Sequence, residues 1–410
     1  MPEPGLTVLA TAALEQRRAA SALRDRRRRV VEGAPGARVS VGGRALWCFS
    51  ANGYLGLARH PRVVAAAARE AARSGCSSAS SRLVCGNLAV VDELELALAR
   101  LKGKEQALVF SSGYAANVGV LGALGAALDV ASDAPASRPP LFLSDALNHA
   151  SIVDGCRLSG AEVQVYPHAD ASVVEAALAG AAAAGRRALV VTESRFSMDG
   201  DEAPLVRLAA ACRATGAALL VDEAHATGID GEGRGLVHAL GLADQVDVVV
   251  GTLGKALGAH GAFAAASATL VRWLENAART FVYSTGLPGP SAAAALAALH
   301  VLNDERPDRA LAANVATMHE LLAARGLGGV VPRRASGPIL PIVVGDAARA
   351  LALEEHLLAR GLLGVAIRPP TVPEGQARVR LSLCADHPHE ALVALADALS
   401  SARAAGLVGE

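Results

Sequence analysis

The sequence lacks the features that mark secreted, membrane-bound or nucleic-acid-binding proteins. Its six cysteines form no C-x-x-C pair and no metal-ligand spacing, which argues against a metal site and favours a cytoplasmic protein with reduced thiols. Lysine plus arginine (39) equals aspartate plus glutamate (39), so no general positive charge favours nucleic acid or an anionic membrane as a partner. The first residues contain Glu3 and two prolines before any apolar run, which is not typical of a signal peptide.

Uninterrupted apolar segments long enough to span a membrane are also missing. Two uncharged stretches, 107–128 and 280–303, have sufficient length. The first contains Ser111-Ser112-Gly113 and is typical of a strand, a turn and a helix, while Pro288 and Pro290 interrupt the second. Neither is a continuous apolar helix of about 20 residues, so we expect no membrane span.

Short apolar runs alternate with helical segments from about residue 60 onward. With 410 residues, 52% of them apolar, the chain can form a large domain and a smaller one. The alternation predicts an α/β fold with a mainly parallel sheet covered by helices on both faces. Six strands are predicted in the large domain, at 107–110, 141–144, 162–166, 188–192, 218–222 and 246–251.

The predicted domains are three stretches of chain. Residues 1–55 form an amino-terminal segment with a helix at 7–30 and a hairpin at 38–49 around Gly42-Gly43. Residues 56–303 form the large domain, in which 129–140 has the composition of a surface loop. Residues 304–410 form a smaller α/β domain with strands at 339–344 and 379–383.

A lysine between glycines follows the last of the six strands. The run is Gly251-Thr252-Leu253-Gly254-Lys255-Ala256-Leu257-Gly258, in a chain that uses arginine almost everywhere. Glycines let the backbone pass close to a bulky planar group. A lysine that forms an imine has to lose its proton near neutral pH, which desolvation and a nearby cation favour. The alternative is an ordinary surface-loop lysine.

An acidic residue and a histidine follow the strand before it, in the run Asp222-Glu223-Ala224-His225. A strand-end aspartate can pair with a protonated pyridine nitrogen and keep the ring an electron sink. His225 can then reach the phenolic oxygen or the phosphate of such a ring. The same four residues also look like the magnesium box of a helicase, but that function requires G-x-x-x-x-G-K-[ST] upstream, which the sequence lacks.

Two further motifs follow predicted strands. The run 110–117 (FSSGYAAN) leads into a helix start, where backbone N–H groups can bind phosphate. His149, in the run 148–151 (NHAS), can cover a cofactor ring, although a single histidine here is more often a cap or a core residue. In a parallel sheet the carboxyl ends of the strands lie at one edge, so the four motifs predict one site.

With these motifs in place, the chain resembles the α-oxoamine synthases, which are fold-type-I pyridoxal-phosphate enzymes, along almost its whole length. The segments that carry the resemblance are 52–57 (NGYLGL), 110–117, 148–151, 192–200 (TESRFSMDG), 221–228, 252–258 and 281–285. The chain departs from the family at Cys76–Arg82, which is poor in glycine, and at Ser194 and Ala262, where glycine is commoner. These departures leave the local loop geometry open.

The resemblance implies a role for each matching residue. Four residues would be catalytic: Lys255 as the Schiff-base lysine, Asp222 as the pyridinium partner, His149 stacked on the ring and His225 at its phenolic oxygen. The phosphate side of pyridoxal 5'-phosphate would be held by Gly113, Tyr114, Ser197, Thr252 and, from across a homodimer, Thr285. The substrates would meet Asn52, His149, Arg368 (at the carboxylate of the amino acid), Thr371 and Arg24. No metal is expected.

Two segments are similar to the biotin-pathway branch of the family, 366–375 (AIRPPTVPEG) and 17–24 (RRAASALR). The aminolaevulinate, aminoketobutyrate and sphingolipid relatives usually carry other residues in the first of them. The resemblance therefore implies a cytoplasmic homodimer that condenses L-alanine with a pimeloyl thioester, on coenzyme A or a carrier protein, and releases carbon dioxide. A sister acyltransferase that uses glycine and an aminotransferase-type enzyme remain as alternatives.

Overall fold

A computed structural model gives the structure of the chain and describes residues 5–19, 23, 30–33, 36–130 and 139–409. The strands are β1 (Val31–Glu32), β2 (Arg38–Val41), β3 (Arg44–Cys48), β4 (Gln106–Phe110), β5 (Leu141–Asp145), β6 (Glu162–Tyr166), β7 (Ala188–Glu193), β8 (Ala218–Asp222), β9 (Val248–Thr252), β10 (Ala262–Ala266), β11 (Ile339–Gly345), β12 (Leu362–Leu363), β13 (Val365–Ile367) and β14 (Ala377–Ser382).

The helices are α1 (Leu6–Ala19), α2 (Pro61–Ser74), α3 (Ala89–Lys102), α4 (Gly113–Val130), α5 (Ala150–Leu158), α6 (Ala171–Ala183), α7 (Leu205–Thr215), α8 (Leu236–Ala239), α9 (Ala268–Ala277), α10 (Arg279–Val282), α11 (Gly289–Glu305), α12 (Pro307–Ala324), α13 (Ala347–Ala359) and α14 (His389–Ala404). Within the described part of the chain, none of them combines the length and apolar character needed to cross a membrane. The predicted helix 7–30 begins as α1, and most of its second half lies outside the described residues.

The chain divides into two compact units. One contains residues 52–312, and the other combines residues 1–51 with 313–410. The amino-terminal segment thus groups with the carboxyl-terminal part of the chain. We predicted domain boundaries after residues 55 and 303, and these boundaries remain a prediction.

The larger unit is built on a seven-stranded sheet with the order β4-β10-β9-β8-β7-β5-β6. The pairs β9–β8, β8–β7, β7–β5 and β5–β6 are parallel, which confirms the mainly parallel sheet predicted from the sequence. Strand β10 is antiparallel to both of its neighbours and was missed. Its sequence, AFAAA, lacks the β-branched residues that favour strands, so only its burial between two strands identifies it.

Apolar side chains of this sheet point alternately to its two faces, as the two-residue period of a strand requires. On β8, Leu219 and Val221 pack against α6 and α7. Leu220, between them, packs on the other face with α4, α5 and α9. Because both faces are covered, the inner strands are mainly apolar, and their polar side chains gather where these strands end. The edge strand β6 (EVQVY) is largely exposed and mixes polar with apolar residues.

The smaller unit contains two short sheets. One has the order β1-β2-β3-β12, in which the antiparallel β2–β3 pair confirms the predicted hairpin. Its turn residues Gly42 and Gly43 both have positive φ angles, 57° and 75°, which favour glycine in a tight turn. The other sheet is antiparallel, with the order β11-β14-β13.

A histidine connects three loops at the carboxyl edge of the large sheet. His168 lies after β6, and its Nδ1 is 2.9 Å from Oδ1 of Asp145, the last residue of β5. Its Nε2 is 2.9 Å from Oδ2 of Asp201, which follows β7. Burial would lower the pKa of His168, but the hydrogen bonds to the two carboxylates outweigh it and raise the pKa to about 9. The ring is therefore a cation at neutral pH and cross-links the three loops.

We expect the free energy of unfolding to depend on pH through His168. Since its pKa is raised in the folded protein, its ion pairs stabilise the fold fully below the unfolded pKa of about 6.5. This contribution is lost as the pH rises through about 9, the folded pKa. It amounts to about 3 kcal/mol at most, because a pKa difference of one corresponds to about 1.4 kcal/mol.

Denaturant unfolding of the wild type and of His168→Gln at several pH values between about 6 and 9 measures this contribution. The wild type should be the more stable protein at the acidic end, and the difference should shrink toward the alkaline end. His319→Gln, at an exposed position on α12, is the matched control. A difference between wild type and His168→Gln that stays constant with pH would contradict the prediction.

Candidate active site

Four adjacent parallel strands of the large sheet end in polar residues. The last residues of β5, β7, β8 and β9 are Asp145, Glu193, Asp222 and Thr252. Glu193 and Asp222 are paired in register across β7 and β8. Ligands of open α/β sheets bind beyond this edge, so the structure brings the predicted motifs to the expected place.

Lys255 lies in a loop after β9, and its amino group contacts a histidine from the loop after β8. Its Nζ is 2.8 Å from Nε2 of His225. Nδ1 of His225 is 2.7 Å from the hydroxyl of Tyr54, which in turn donates a hydrogen bond to Oδ1 of Asn52. Both ring nitrogens of the buried His225 are therefore engaged, which fixes the orientation of the imidazole beside the lysine.

Asp222 is buried, and its carboxylate accepts hydrogen bonds on both oxygens. Oδ1 accepts from the backbone N–H of Ala224 at 2.8 Å, and Oδ2 accepts from Nδ2 of Asn117 at 2.8 Å. Asn117 lies in the first turns of α4, so this bond joins the end of β8 to the helix that follows β4. Donors to both oxygens stabilise a carboxylate at this position.

His149 caps the amino terminus of α5, and its ring is partly buried against Ser151. Nδ1 of the ring is 2.7 Å from Oγ of Ser151 and accepts from the Ser151 backbone N–H at 3.3 Å. Burial lowers the pKa of His149, and the opposing effect of Asp222 is smaller. The ring is therefore neutral at pH 7.

Glu193 is a buried acid that we did not predict as a site residue. Its Oε1 accepts a hydrogen bond of 2.7 Å from the backbone N–H of His149, and its carboxyl group also accepts from the backbone of Ser197. Burial raises the pKa of Glu193 to about 8, and the neighbouring Asp222 raises it as well. Glu193 thus holds the loops after β5 and β7 together directly behind the site.

The residues predicted for the phosphate side lie at a helix start, a strand end, a loop and a β-bridge. Gly113 and Tyr114 begin α4, and the exposed Tyr114 donates its hydroxyl hydrogen to Asp154. Thr252 donates its hydroxyl to the carbonyl oxygen of Gly261 at 3.2 Å. Ser197 is half-buried in the loop after β7, and Thr285 is exposed and forms a β-bridge with Ser81.

The residues predicted for the substrates are not gathered in one unit. Asn52 belongs to the larger unit and contacts Tyr54, as described above. Arg368 and Thr371 belong to the smaller unit, after β13, where the Thr371 backbone N–H donates to the Arg368 carbonyl oxygen at 3.0 Å. Arg24 lies outside the described residues.

The two glycines on either side of Lys255, Gly254 and Gly258, differ in whether the structure leaves room for a side chain. Gly258 has φ +62°, and a Cβ there would lie 2.2 Å from the backbone nitrogen of Ala58, so its packing within the unit requires glycine. A Cβ at Gly254 would have no neighbour closer than 3.7 Å. Our argument that glycines admit a planar group therefore applies to Gly254 and not to Gly258.

The three departures from the family pattern have visible effects. In the glycine-poor loop 76–82, Ala79 adopts φ +55°, a left-handed conformation that costs about 1–2 kcal/mol for a residue with a Cβ. The buried hydroxyl of Ser194 has no hydrogen-bond partner among the described residues. Ala262 is fully buried on β10, where its methyl group packs in the apolar core.

Comparison with known proteins identifies the family. The model for class I and II aminotransferases matches residues 46–399. A protein of Anaeromyxobacter dehalogenans named 8-amino-7-oxononanoate synthase is 52% identical, over 86% of this chain and 85% of its own length. The chain belongs to the 8-amino-7-oxononanoate synthase family.

Solved structures agree with this membership. Serine palmitoyltransferase from S. paucimobilis, with a bound PLP–myriocin aldimine, is similar over 99% of this chain and 100% of its own, with a TM-score of 0.88 and 28% identity. The 8-amino-7-oxononanoate synthase of Francisella tularensis covers 88% of this chain with 99% of its own length, at a TM-score of 0.73 and 25% identity. The predicted fold class, pyridoxal-phosphate dependence and biotin-pathway branch are thereby confirmed. The individual residue roles stay predictions.

Four residues at the site escaped sequence analysis: Tyr54, Asn117, Ser151 and Glu193. All four lie inside segments that carried the family resemblance, at 52–57, 110–117, 148–151 and 192–200. A signal for Ser151 was present, because a polar residue two positions after a helix-capping residue is placed to bond it. The pairing of Asn117 with Asp222, 105 positions away, has no local signal.

We expect the cofactor to be attached to Lys255. After borohydride reduction of the holoenzyme, peptide mapping should find the pyridoxyl mass on Lys255 and on neither of the other two lysines, Lys102 and Lys104. The amino group of Lys102 is buried 2.7 Å from Glu223, and that of Lys104 is bonded to two backbone carbonyl oxygens. Lys255→Ala is the matched control and should show no adduct. An adduct on Lys102 or Lys104 would rule out the assignment.

Proposed function

We propose that this protein condenses L-alanine with a pimeloyl thioester to give 8-amino-7-oxononanoate, with release of carbon dioxide and of the thiol. The observation that carries the proposal is the contact of Lys255 Nζ with His225 Nε2, at 2.8 Å, beside the buried Asp222. An amine, an imidazole and a carboxylate at one sheet edge are the groups that amino-acid chemistry on pyridoxal phosphate requires. The names of the relatives supply the identity of the product, and the substrates are those implied by the resemblance of 366–375 and 17–24 to the biotin-pathway branch.

Pyridoxal phosphate fits the residues of this edge. Asp222 offers a carboxylate to the pyridine nitrogen, and the ring of His149 can lie on one face of the cofactor. The amino terminus of the 18-residue helix α4, at Gly113 and Tyr114, offers backbone N–H groups to the phosphate. Ser197 and Thr252 add hydroxyl groups from neighbouring loops. When bound, the cofactor holds the amino group of the substrate and takes up the negative charge that deprotonation leaves on Cα.

The chain's own residues perform the proton transfers in this proposal. Lys255 Nζ would accept the Cα proton of L-alanine and later return a proton. His225, with Nδ1 engaged by Tyr54, has its Nε2 directed at that amine. The engaged ring keeps the lysine oriented, so little motion is needed between the two transfers.

Recognition of the substrates is proposed for Asn52, for Arg368 and Thr371 near the carboxyl terminus, and for Arg24 near the amino terminus. Arg368 pairs with the carboxylate of alanine, because a guanidinium binds a carboxylate through two parallel hydrogen bonds. Thr371 and Arg24 are the residues proposed to bind the acyl substrate. Arg24 suits the distal carboxylate of a pimeloyl group or a phosphate of coenzyme A, since either is an anion.

We also infer that the protein works as a homodimer in the cytoplasm. Three large apolar side chains are exposed near the Ser81–Thr285 bridge, Leu83 at 57%, Val84 at 79% and Tyr283 at 74%. Exposed apolar groups of this size favour a protein interface, and Thr285 would then face the partner's cofactor. Six free cysteines support a reducing compartment.

The dimer is tested by light scattering of the purified holoenzyme. We expect the mass of two chains, and Val84→Asp should lower it toward one chain because it places a charge on the apolar surface. Val206→Asp, at another exposed valine, on α7, should leave the mass unchanged. An active protein with the mass of one chain would contradict the dimer.

Substrate choice is tested by steady-state kinetics with L-alanine or glycine and with pimeloyl-CoA or acetyl-CoA. We expect the highest kcat/KM for L-alanine with pimeloyl-CoA. A methyl group in an apolar pocket contributes about 1–3 kcal/mol, so the preference over glycine should be roughly 10- to 200-fold. The product is identified by its mass.

The same kinetics separate the proposal from its alternatives. A higher kcat/KM for glycine with acetyl-CoA would overturn the proposed substrates and leave the cofactor chemistry in place. Amino transfer without any acyl thioester would instead indicate an aminotransferase. Arg368→Lys should raise KM for alanine, since an ammonium group does not reproduce the bidentate pairing. Arg360→Lys, at an exposed arginine of the same unit, is its matched control.

A further inference from the structure

A continuous line of hydrogen bonds connects Asp222 to the ring of His149 through two buried side chains. Nδ2 of Asn117 donates to Oδ2 of Asp222 at 2.8 Å and to Oγ of Ser151 at 2.9 Å. Oγ of Ser151 lies 2.7 Å from Nδ1 of His149. Asn117 and Ser151 are each 1% exposed, so solvent does not compete for these groups.

The carboxylate of Asp222 determines the direction of the first two bonds. An ionised carboxylate only accepts hydrogen bonds, so the amide atom of Asn117 that faces it is the nitrogen. The second hydrogen of that nitrogen then points to Ser151. In this orientation Oδ1 of Asn117 has no hydrogen-bond partner among the described residues. The opposite orientation would place that oxygen against the carboxylate, which is less favourable still.

The direction of the last bond follows from the first two. Ser151 Oγ accepts from Asn117, and its own hydrogen needs an acceptor because an unsatisfied buried hydroxyl costs about 1–3 kcal/mol. In the described part of the chain, Nδ1 of His149 is the acceptor within reach. The backbone N–H of Ser151 also donates to that atom, at 3.3 Å. Nδ1 therefore carries no proton, and the proton of the neutral ring is on Nε2.

We propose that Asn117 and Ser151 are positioning residues that hold His149 in the tautomer protonated on Nε2 and connect its ring to Asp222. His149 is then a hydrogen-bond donor toward its ligands and not a proton acceptor at Nε2. The same hydrogen bonds fix the position of the His149 ring relative to the carboxylate of Asp222. The catalytic importance of this arrangement rests on the proposed function, whereas the tautomer is a property of the chain itself.

The tautomer is measured directly on full-length holoenzyme labelled with ¹⁵N in its histidine rings. Long-range ¹H–¹⁵N correlation spectra distinguish a protonated ring nitrogen from an acceptor, and His149→Asn assigns the signals by their loss. We expect protonated Nε2 and acceptor Nδ1 in the wild type. Ser151→Ala should populate the Nδ1-protonated form measurably, because the hydroxyl donor is gone. Asn117→Ala should do so as well, because the hydroxyl is then free to accept from Nδ1.

Two further variants and the kinetics separate positioning from a general loss of structure. Ser151→Thr keeps a hydroxyl and should restore the wild-type tautomer. Ser159→Ala removes a buried hydroxyl at the other end of α5 and should leave the His149 signals unchanged. In Ser151→Ala we expect kcat to fall about tenfold, the effect of one hydrogen bond, while KM changes less.

Two results would overturn the proposal: a wild-type His149 protonated at Nδ1, or a single Nε2-protonated form that persists in both Ser151→Ala and Asn117→Ala. Failure of the proposed function would be seen separately, as absence of the amino ketone product from wild-type enzyme. The spectra of the holoenzyme report the tautomer whichever substrates it accepts.

Discussion

The candidate site depends on the parallel direction of β5, β7, β8 and β9. This direction brings four strand ends to one edge, where Asp145, Glu193, Asp222 and Thr252 lie side by side. The covering helices bury both faces of the sheet, so the edge is where its polar side chains can be placed without a large desolvation cost. The loops that carry His149, Glu193, Asp222, His225 and Lys255 all start from this edge, and the strands set the distances between them.

The loop after β8 is anchored by a buried ion pair between Lys102 and Glu223. Lys102, at the end of α3, donates to Oε2 of Glu223 at 2.7 Å, to Thr227 at 2.8 Å and to the carbonyl oxygen of Arg234 at 2.7 Å. Burial lowers the pKa of Lys102, an effect that Glu223 opposes. The other oxygen of Glu223 accepts from the backbone of Val237. Removing one partner of a buried pair costs about 3–5 kcal/mol, so the loop that carries Asp222 and His225 is firmly anchored.

Sequence analysis predicted the strands and the motifs that follow them because both depend on local patterns. Strands β5, β6 and β8 were placed to within a residue of the structure, and the continuous apolar runs of β5 and β8 are typical of buried parallel strands. It missed β10, whose alanines favour no particular structure. It also missed Asn117, Ser151 and Glu193 as site residues, because their roles come from contacts between loops far apart in sequence. Periodicity identifies elements, whereas such contacts exist only once the sheet has formed.

Two carboxyl groups at adjacent strand ends determine where negative charge can reside at this edge. Glu193 and Asp222 are in register on neighbouring buried strands, so ionising both is costly. The pKa of Glu193 is raised to about 8 by burial and by Asp222, despite the backbone N–H groups of His149 and Ser197. Asp222 instead receives donors on both oxygens, from Asn117 and Ala224. The carboxylate held by these two donors is the one proposed to pair with a protonated pyridine nitrogen. The Asn117 amide that donates to Asp222 also fixes the hydrogen-bond direction at Ser151 and His149, so one amide connects the proposed pyridinium partner to the ring proposed to cover the cofactor.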